Sequence, residues 1–239
     1  MTQQQLAALL GITQGHLSQL ERGRGSFLAD QLLVLLRHFN VTLEELAPER
    51  KSAGAQIQNA LARQGATQLV EDASVLPSER LKGAVAAIRE ALVSADSARQ
   101  IAAIAPVLVR NAGQVNLAKL RTELAELGLE NRLGWALENT LQAIALDSNE
   151  TLSDNCRRRY RRTTLIIETF SQPAPNEDPT AVLRYDVLDS HITTKKGLEE
   201  VVDSLSPISR RWRIATRIAV EDFAEALKDA RSSDSSFDA

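Results

Sequence analysis

The sequence predicts a mainly all-α protein, and three observations support this. Ala, Leu, Arg and Glu recur throughout the 239 residues and only 4% are aromatic, a composition that favours helices over sheets. Apolar residues repeat at the three- and four-residue steps of helices over most of the chain. Two segments, 47–56 and 171–181, break this pattern with proline, glycine or charge, as linkers do.

The two interruptions set the expected domain organisation. A chain of 239 residues is long enough for one or two domains. The last residues are mostly Ser and Asp, a composition typical of disorder. We expect an N-terminal unit at 1–47, a multi-helical domain at 56–170, a small C-terminal unit at 180–230 and a disordered tail at 231–239.

Four short helices are expected in the N-terminal unit. Thr2 and Gln5 have the spacing of a capping box, so the first helix starts after Thr2 and stops at Gly11. Thr13 caps the second helix, at 14–22. The third helix should face the core with Leu32, Leu33, Leu36 and Phe39. The fourth should begin with a second capping box, formed by Thr42 and Glu45.

Helical periodicity continues beyond the first linker. Pro106 should kink one of these helices, because proline removes a backbone hydrogen bond. Residues 182–188 read either as a strand or as a helix. The remaining helices are expected near 56–72, 78–94, 96–111, 116–127, 130–145, 152–170, 197–205 and 220–230.

Charge and cysteine content limit the class of protein. The formal net charge is −3, so any contact with nucleic acid must come from a local patch. Cys156 is the only cysteine, which excludes an internal disulfide or a zinc cluster and fits a reducing compartment. Because the sequence shows neither a secretory signal nor a run of about 18 apolar residues, we expect a cytoplasmic protein without a membrane partner.

A row of polar residues stands out at the start of the second helix. Two leucines of this helix face inward at helical spacing. The outward positions that remain are Gln14, Gly15, His16 and Gln19. Long amides bond bidentately to adenine in the major groove of DNA, and a glycine lets the backbone approach closely. We therefore predict that these four residues contact base edges.

Three further residues are placed to hold the DNA backbone. Gln3 opens the first helix, where its side chain and the helix dipole together favour a phosphate. Arg22 and Arg24 follow the second helix and supply cations for two more phosphates. Because basic residues do not exceed acidic ones over residues 1–50, each unit should bind weakly, and we expect a dimer that reads two half-sites.

These motifs resemble a known family. The runs TQQQLAALLGITQGHLSQLERG and LADQLLVLLRHFNVTLEEL are similar to the helix-turn-helix of the Xre family, the fold of phage repressors of the lambda type. The resemblance covers residues 2–47. It implies that Gln3 binds phosphate and that the outward row on the second helix reads bases.

The chain departs from the family pattern at its start. Family members carry a helix before the Thr-Gln pair, whereas this sequence begins with Met1 on that threonine, so we expect a truncated lambda-repressor-like unit. A unit of about 45 residues is marginal for a self-supporting core. We therefore expect another part of the chain, or a partner subunit, to cover Leu6, Leu10 and Leu32.

The densest charge run, CRRRYRR at 156–162, has two interpretations. On a helix, Tyr160, Thr164 and Ile167 share one side, so the arginines form a solvated face over an apolar stripe. Alternatively they hold phosphates or an acidic protein partner, because guanidinium groups suit both. The arginines concerned are Arg157, Arg158, Arg159, Arg161 and Arg162.

Catalytic, metal and cofactor sites are not predicted. His16, His38 and His191 lie far apart without acidic or cysteine companions at metal-ligand spacing. Adjacent glutamates point apart on a helix, which suits caps and solvated positions better than acid–base chemistry. Trp212, in the run SRRWR, has two interpretations. It either stacks on a nucleic-acid base or lines an interface, or it is buried in a core. We expect that the protein is not an enzyme.

Three hypotheses for the function remain. The leading one is a sequence-specific regulator of transcription that binds double-stranded DNA, a repressor acting as a homodimer, whose helical domain dimerises and senses an effector or partner. The second is an antitoxin, whose helical region binds a cognate toxin while the DNA-binding unit regulates its own operon. Under the third, the helical region is an enzyme or a small-molecule receptor, which only a conspicuous lined cavity would support.

Overall fold

The computed structural model divides the chain into two compact units, Met1–Arg50 and Lys51–Ala239. The regular secondary structure of the described residues is helical apart from two short strands, which confirms the expected mainly all-α fold. None of the described helices is both long and apolar enough to span a bilayer. The structure describes residues 2–39, 41, 53–75, 78–95, 97–148, 152–170, 173–175, 185–189 and 192–233.

The described part of the first unit consists of helices α1 (Gln3–Leu9), α2 (Gln14–Glu21) and α3 (Ala29–Phe39). The predicted capping box is present: the Gln5 amide donates to Thr2 Oγ1 at 3.3 Å, and the Thr2 amide donates to Gln5 Oε1 at 2.9 Å. The amide of His16 donates to Thr13 Oγ1 at 3.2 Å, so the second predicted cap is confirmed as well. Gly11 turns α1 into α2 with a φ of +67°, a conformation that favours glycine.

A small apolar cluster holds these helices together. Its buried members are Ala7, Leu10 and Leu17, with the half-buried Leu6, Ile12, Phe27 and Leu35 packed against them. Leu10 is thus buried and Leu6 half-buried within the unit itself, whereas Leu32 is 36% exposed. The expected cover of Leu32 by another segment or subunit stays a prediction.

The prediction of which residues of α3 face inward was wrong in part. Leu36 is buried, but Leu33 and Phe39 are 59% and 52% exposed, and the half-buried Leu35 packs on the cluster instead. The five consecutive residues 32–36 are all apolar and lie on every side of this helix, so periodicity alone does not select the inward face. The fourth predicted helix, with its capping box at Thr42, lies outside the described residues.

The described part of the second unit runs from α4 to α13 and includes a 3₁₀ helix at Glu79–Leu81. Its short strands β1 (Asp186–Val187) and β2 (Ile214–Ala215) pair in parallel. The helices are α4 (Ala53–Arg63), α5 (Ala84–Ser94), α6 (Ala98–Ala102), α7 (Ile104–Arg110), α8 (Leu117–Ala125), α9 (Glu130–Asp147), α10 (Asp154–Phe170), α11 (Lys195–Asp203), α12 (Pro207–Trp212) and α13 (Val220–Ser233).

Helix α9 is the centre of the second unit, because it contacts α7, α8, α10, α12 and α13. Its fully buried Trp135 packs edge-on against Phe223, with ring centroids 5.5 Å apart. Arg132, also on α9, makes a two-point contact with the Asp186 carboxylate, at 2.6 and 2.7 Å, and so attaches β1 to this helix. Paired hydrogen bonds of this kind fix both distance and orientation.

The C-terminal helices belong to the same core. The Trp135 Nε1 donates to Ser209 Oγ at 3.1 Å, and the Trp212 Nε1 donates to Glu138 Oε2 at 2.7 Å. A Cβ at Gly134 would lie 2.2 Å from the Trp212 ring, so glycine allows α9 and α12 their close approach. Trp212 is therefore a buried core residue, as one of the two interpretations held.

Two sequence-based expectations about the C-terminal part differ from the structure. Residues 180–230 were expected as a separate small unit, whereas their described helices α12 and α13 pack in the core around α9. A proline-rich segment marks extended backbone and says nothing about where the following helices pack. The tail was expected to be disordered from residue 231, but α13 continues to Ser233; residues 234–239 lie outside the described part.

The kink expected at Pro106 is displaced. The helix breaks at Ala103, between α6 and α7, and Pro106 lies in the first turn of α7. Backbone amides of a first turn have no partner within their helix, so proline is tolerated there. The break therefore precedes the proline instead of falling at it.

Candidate nucleic-acid interface

Helix α2 presents the predicted polar row to solvent. Leu17 and Leu20 are buried on its inner side, as their spacing predicted. The outward residues Gln14, Gly15, His16 and Gln19 are all exposed. The two buried leucines fix the orientation of α2 in the unit, so the four exposed residues of the row face solvent.

Gly15 leaves room above the surface of α2. A Cβ built at this position would have no atom within 4 Å, so the packing of the unit itself does not require a glycine here. It is the second residue of α2, and glycine is a poorer helix former than alanine. A glycine that internal packing does not explain is consistent with close approach by an external backbone.

Gln3 is exposed at the start of α1, but its side chain already has a partner. Its Nε2 donates to Glu21 Oε2 at 2.6 Å, a bond that joins the beginning of α1 to the end of α2. Glu21 was not among the site residues predicted from the sequence. One signal was available, because a carboxylate in the last turn of a helix opposes the helix dipole and calls for another explanation.

Arg22 and Arg24 are exposed directly after α2. The backbone amide of Arg22 caps the helix by donating to the Leu20 carbonyl, which holds this arginine close to the end of α2. Gly23 between them has a φ of +73°. Arg22 and Arg24 thus flank a sharp turn directly after Glu21, so the formal charge of residues 21–24 is only +1.

The arginine run lies on α10 of the second unit. Of the predicted inner stripe, Tyr160 and Ile167 are buried and Thr164 is half-buried, whereas its neighbour Thr163 is buried. Arg157, Arg158, Arg161 and Arg162 are exposed and Arg159 is half-buried. The Nη2 and Nε of Arg157 donate to the carbonyl of Leu152, at 2.9 and 3.2 Å. These contacts fit a solvated face and leave the alternative of an anionic partner open.

A buried polar cluster beneath α10 joins three helices. The hydroxyl of Tyr160 donates to Asp147 Oδ2 at 2.5 Å, and Arg231 Nη2 approaches Asp147 Oδ1 at 3.1 Å. Burial, and secondly the hydrogen bond and charge of Asp147, raise the pKa of Tyr160 above its ordinary value. Cys156 is buried beside this cluster. Within the described ranges, no group of His, Cys, Asp and Glu is arranged to hold a metal ion.

Comparison with known proteins bears on the first unit. Residues 1–46 match the family described as helix-turn-helix, which confirms the resemblance found in the sequence. This segment is a DNA-binding unit of the kind found in regulators of transcription. Neither a curated protein nor a solved structure gives a significant match.

Proposed function

We propose that this protein is a sequence-specific repressor of transcription that binds double-stranded DNA as a homodimer. The observation that carries the proposal is the exposed polar row of α2, which lies in a segment that matches the helix-turn-helix family. A repressor of this kind acts where the DNA is, so the proposal places the protein in the cytoplasm. The second unit is proposed to dimerise and to sense an effector or partner.

The polar row supplies the chemistry for reading bases. Gln14 and Gln19 each carry one acceptor and two donor hydrogens at the end of a flexible side chain. Such an amide bonds to both N6 and N7 of adenine, which discriminates against a wrong base by about 1–3 kcal/mol. His16 adds a third polar side chain, and Gly15, which has no side chain, allows α2 to approach the groove closely.

Backbone contacts are proposed for Gln3, Arg22 and Arg24. Arginine bonds to phosphate through two parallel N–H groups, and an amide at a helix start donates alongside the backbone amides of the first turn. Two arginines with a glutamate beside them give modest attraction to DNA. Two units bound to adjacent half-sites would combine their affinities, which is why the proposal includes a dimer.

A binding selection tests this proposal. The full-length chain is incubated with random double-stranded DNA at two stated salt concentrations, and the bound sequences are read. We expect one enriched motif with two related half-sites about 10 base pairs apart, centre to centre. Recovery of unenriched sequence at both salt concentrations would mean that the fold binds without reading bases, and the proposal would be wrong.

Glu21→Gln tests the electrostatics of the backbone contact. A glutamine keeps an acceptor for the Nε2 of Gln3 but removes a negative charge beside Arg22, so affinity for all duplexes should rise by a few-fold at low salt. Fluorescence anisotropy with operator and non-operator DNA measures the change. The matched control is Asp30→Asn, an exposed carboxylate at the start of α3. An equal rise with the control would assign the effect to net charge alone.

The arginine run of α10, at 156–162, is proposed to contact an acidic protein or phosphate. Four of its five members are exposed, which leaves their guanidinium groups accessible. If the protein is an antitoxin, its cognate toxin is the partner that this row would bind. Co-purification with the product of an adjacent gene would favour the antitoxin, and purification as a homodimer alone would count against it.

A further inference from the structure

An open groove lies along α10, beside the end of α9. Its volume is about 780 Å³. The buried residues Ile144, Leu152 and Tyr160 line it, and so does Leu165, which is 64% exposed. A single exposed leucine is ordinary, but here it stands next to a groove that already has an apolar lining. The groove therefore offers apolar surface that a second chain can cover.

Charges of both signs lie on this side of α10. Arg161 and Glu168 line the groove and are exposed. They are seven positions apart, which is about 10 Å along a helix, so they are too distant to pair with each other. Among the residues that the structure describes, neither has an ion pair or a hydrogen bond. Arg157, which lines the same groove, is held instead by the carbonyl of Leu152.

A two-fold axis would give both charged residues a partner at once. In a symmetric dimer one patch meets its own copy, so residue i of one chain contacts residue j of the other, and the reverse. If two α10 helices lie antiparallel across the axis, Arg161 of each chain faces Glu168 of the other. Leu165 then lies next to the axis, because it is close to midway between these two positions. An acidic partner, in contrast, would be repelled by Glu168.

We propose that this groove is the dimer contact of the protein and that it binds α10 of a second copy. The inference rests on the homodimer proposed above and names its surface. Two ion pairs between Arg161 and Glu168 lie on either side of the axis, and each Leu165 packs on the apolar lining of the other groove. Apolar burial supplies affinity, and the ion pairs fix the antiparallel register. Arg158 and Arg162 do not line the groove and remain for the anionic partner of the arginine run.

Charge reversal tests this inference, with sedimentation equilibrium of the full-length chain in the absence of DNA. Arg161→Glu brings negative charges together on both sides of the axis, and Glu168→Arg does the same with positive charges. Each variant should raise the dissociation constant of the dimer by at least about tenfold. The matched control is Arg158→Glu, an exposed arginine of α10 outside the groove, which should leave the dissociation constant unchanged.

A mixture of the two groove variants gives the decisive measurement. A copy with Arg161→Glu and a copy with Glu168→Arg have opposite charges at both contact points, so they should form heterodimers about as stable as the wild-type dimer. A chain that carries both substitutions should dimerise with itself for the same reason. Net charge cannot explain either recovery, because the mixture and the double variant have the average charge of the wild type. A mixture that stays monomeric would overturn the inference.

The homodimer and its surface fail in different ways. A monomeric wild-type chain would contradict the homodimer, and the surface with it. A dimeric wild type that neither single variant weakens would overturn only the surface, because the copies would then meet elsewhere. If Arg161→Glu keeps the dimer and abolishes co-purification of an acidic protein, that protein occupies the groove and the inference is wrong. Base reading by α2 is measured separately, by the selection described above.

Discussion

Replacing Gln14 and Gln19 together by alanine should abolish the preference for the operator and leave weak, salt-dependent binding to any duplex. Both side chains are exposed on α2, so their loss removes no contact of the core. If each amide makes one bidentate bond to adenine, the pair accounts for about 2–6 kcal/mol of discrimination. Alanine is a good helix former, so α2 should persist in the variant.

Competition between operator and non-operator DNA, followed by fluorescence anisotropy at two salt concentrations, measures this effect. The control is Gln4→Ala, which removes an exposed amide from α1 and should leave the base preference unchanged. The decisive quantity is the ratio of the two affinities, because phosphate contacts contribute equally to both. If the double variant keeps the wild-type ratio, α2 does not read the bases.

Asp147→Ala should destabilise the protein by about 3–5 kcal/mol, the usual cost of removing one partner of a buried ion pair. Its carboxylate is 97% buried and accepts from the hydroxyl of Tyr160 and from Nη2 of Arg231. These residues lie at the end of α9, on α10 and on α13. Loss of the carboxylate removes the acceptor that the buried hydroxyl of Tyr160 and the half-buried guanidinium of Arg231 share.

Urea unfolding followed by circular dichroism measures the change in stability. Asp154→Ala is the control, because its carboxylate is exposed and 3.9 Å from Arg157, and exposed pairs contribute about 1 kcal/mol at most. A free energy of unfolding within 1 kcal/mol of the wild type for Asp147→Ala would contradict the role given to the cluster.

The same cluster predicts a dependence on alkaline pH. The pKa of Tyr160 is raised in the folded protein, chiefly by burial and then by Asp147. The neutral tyrosine therefore contributes stability that is fully present below about pH 10, the ordinary pKa of its hydroxyl, and is lost as the pH rises above it. Removal of Asp147 should reduce this alkaline loss, although burial alone keeps part of it.

Local features of the fold were predictable from the sequence. The caps at Thr2 and Thr13 and the turn at Gly11 depend on residues three positions apart or on one backbone conformation. Most helix bounds in the second unit likewise agree with the periodicity to within a few residues, such as α9 at Glu130–Asp147 against the expected 130–145. Such signals are contained in short stretches of chain.

Features that depend on a distant partner were not predictable. The apolar run of α3 does not reveal that Leu33 and Phe39 face outward, because the inward side is decided by where α1 and α2 lie. The sequence also gave no sign that α13 packs along α9, or that Glu21 would bind Gln3 eighteen positions away.

By itself the sequence determined the helices, their caps and the polar row of α2, because hydrogen bonds between near neighbours and a repeat of 3.6 residues are local properties of a chain. The tertiary structure alone decided which apolar faces are covered and how Asp147 joins three helices. Burial and charge pairing are properties of the space between segments, and residues far apart in the sequence define that space.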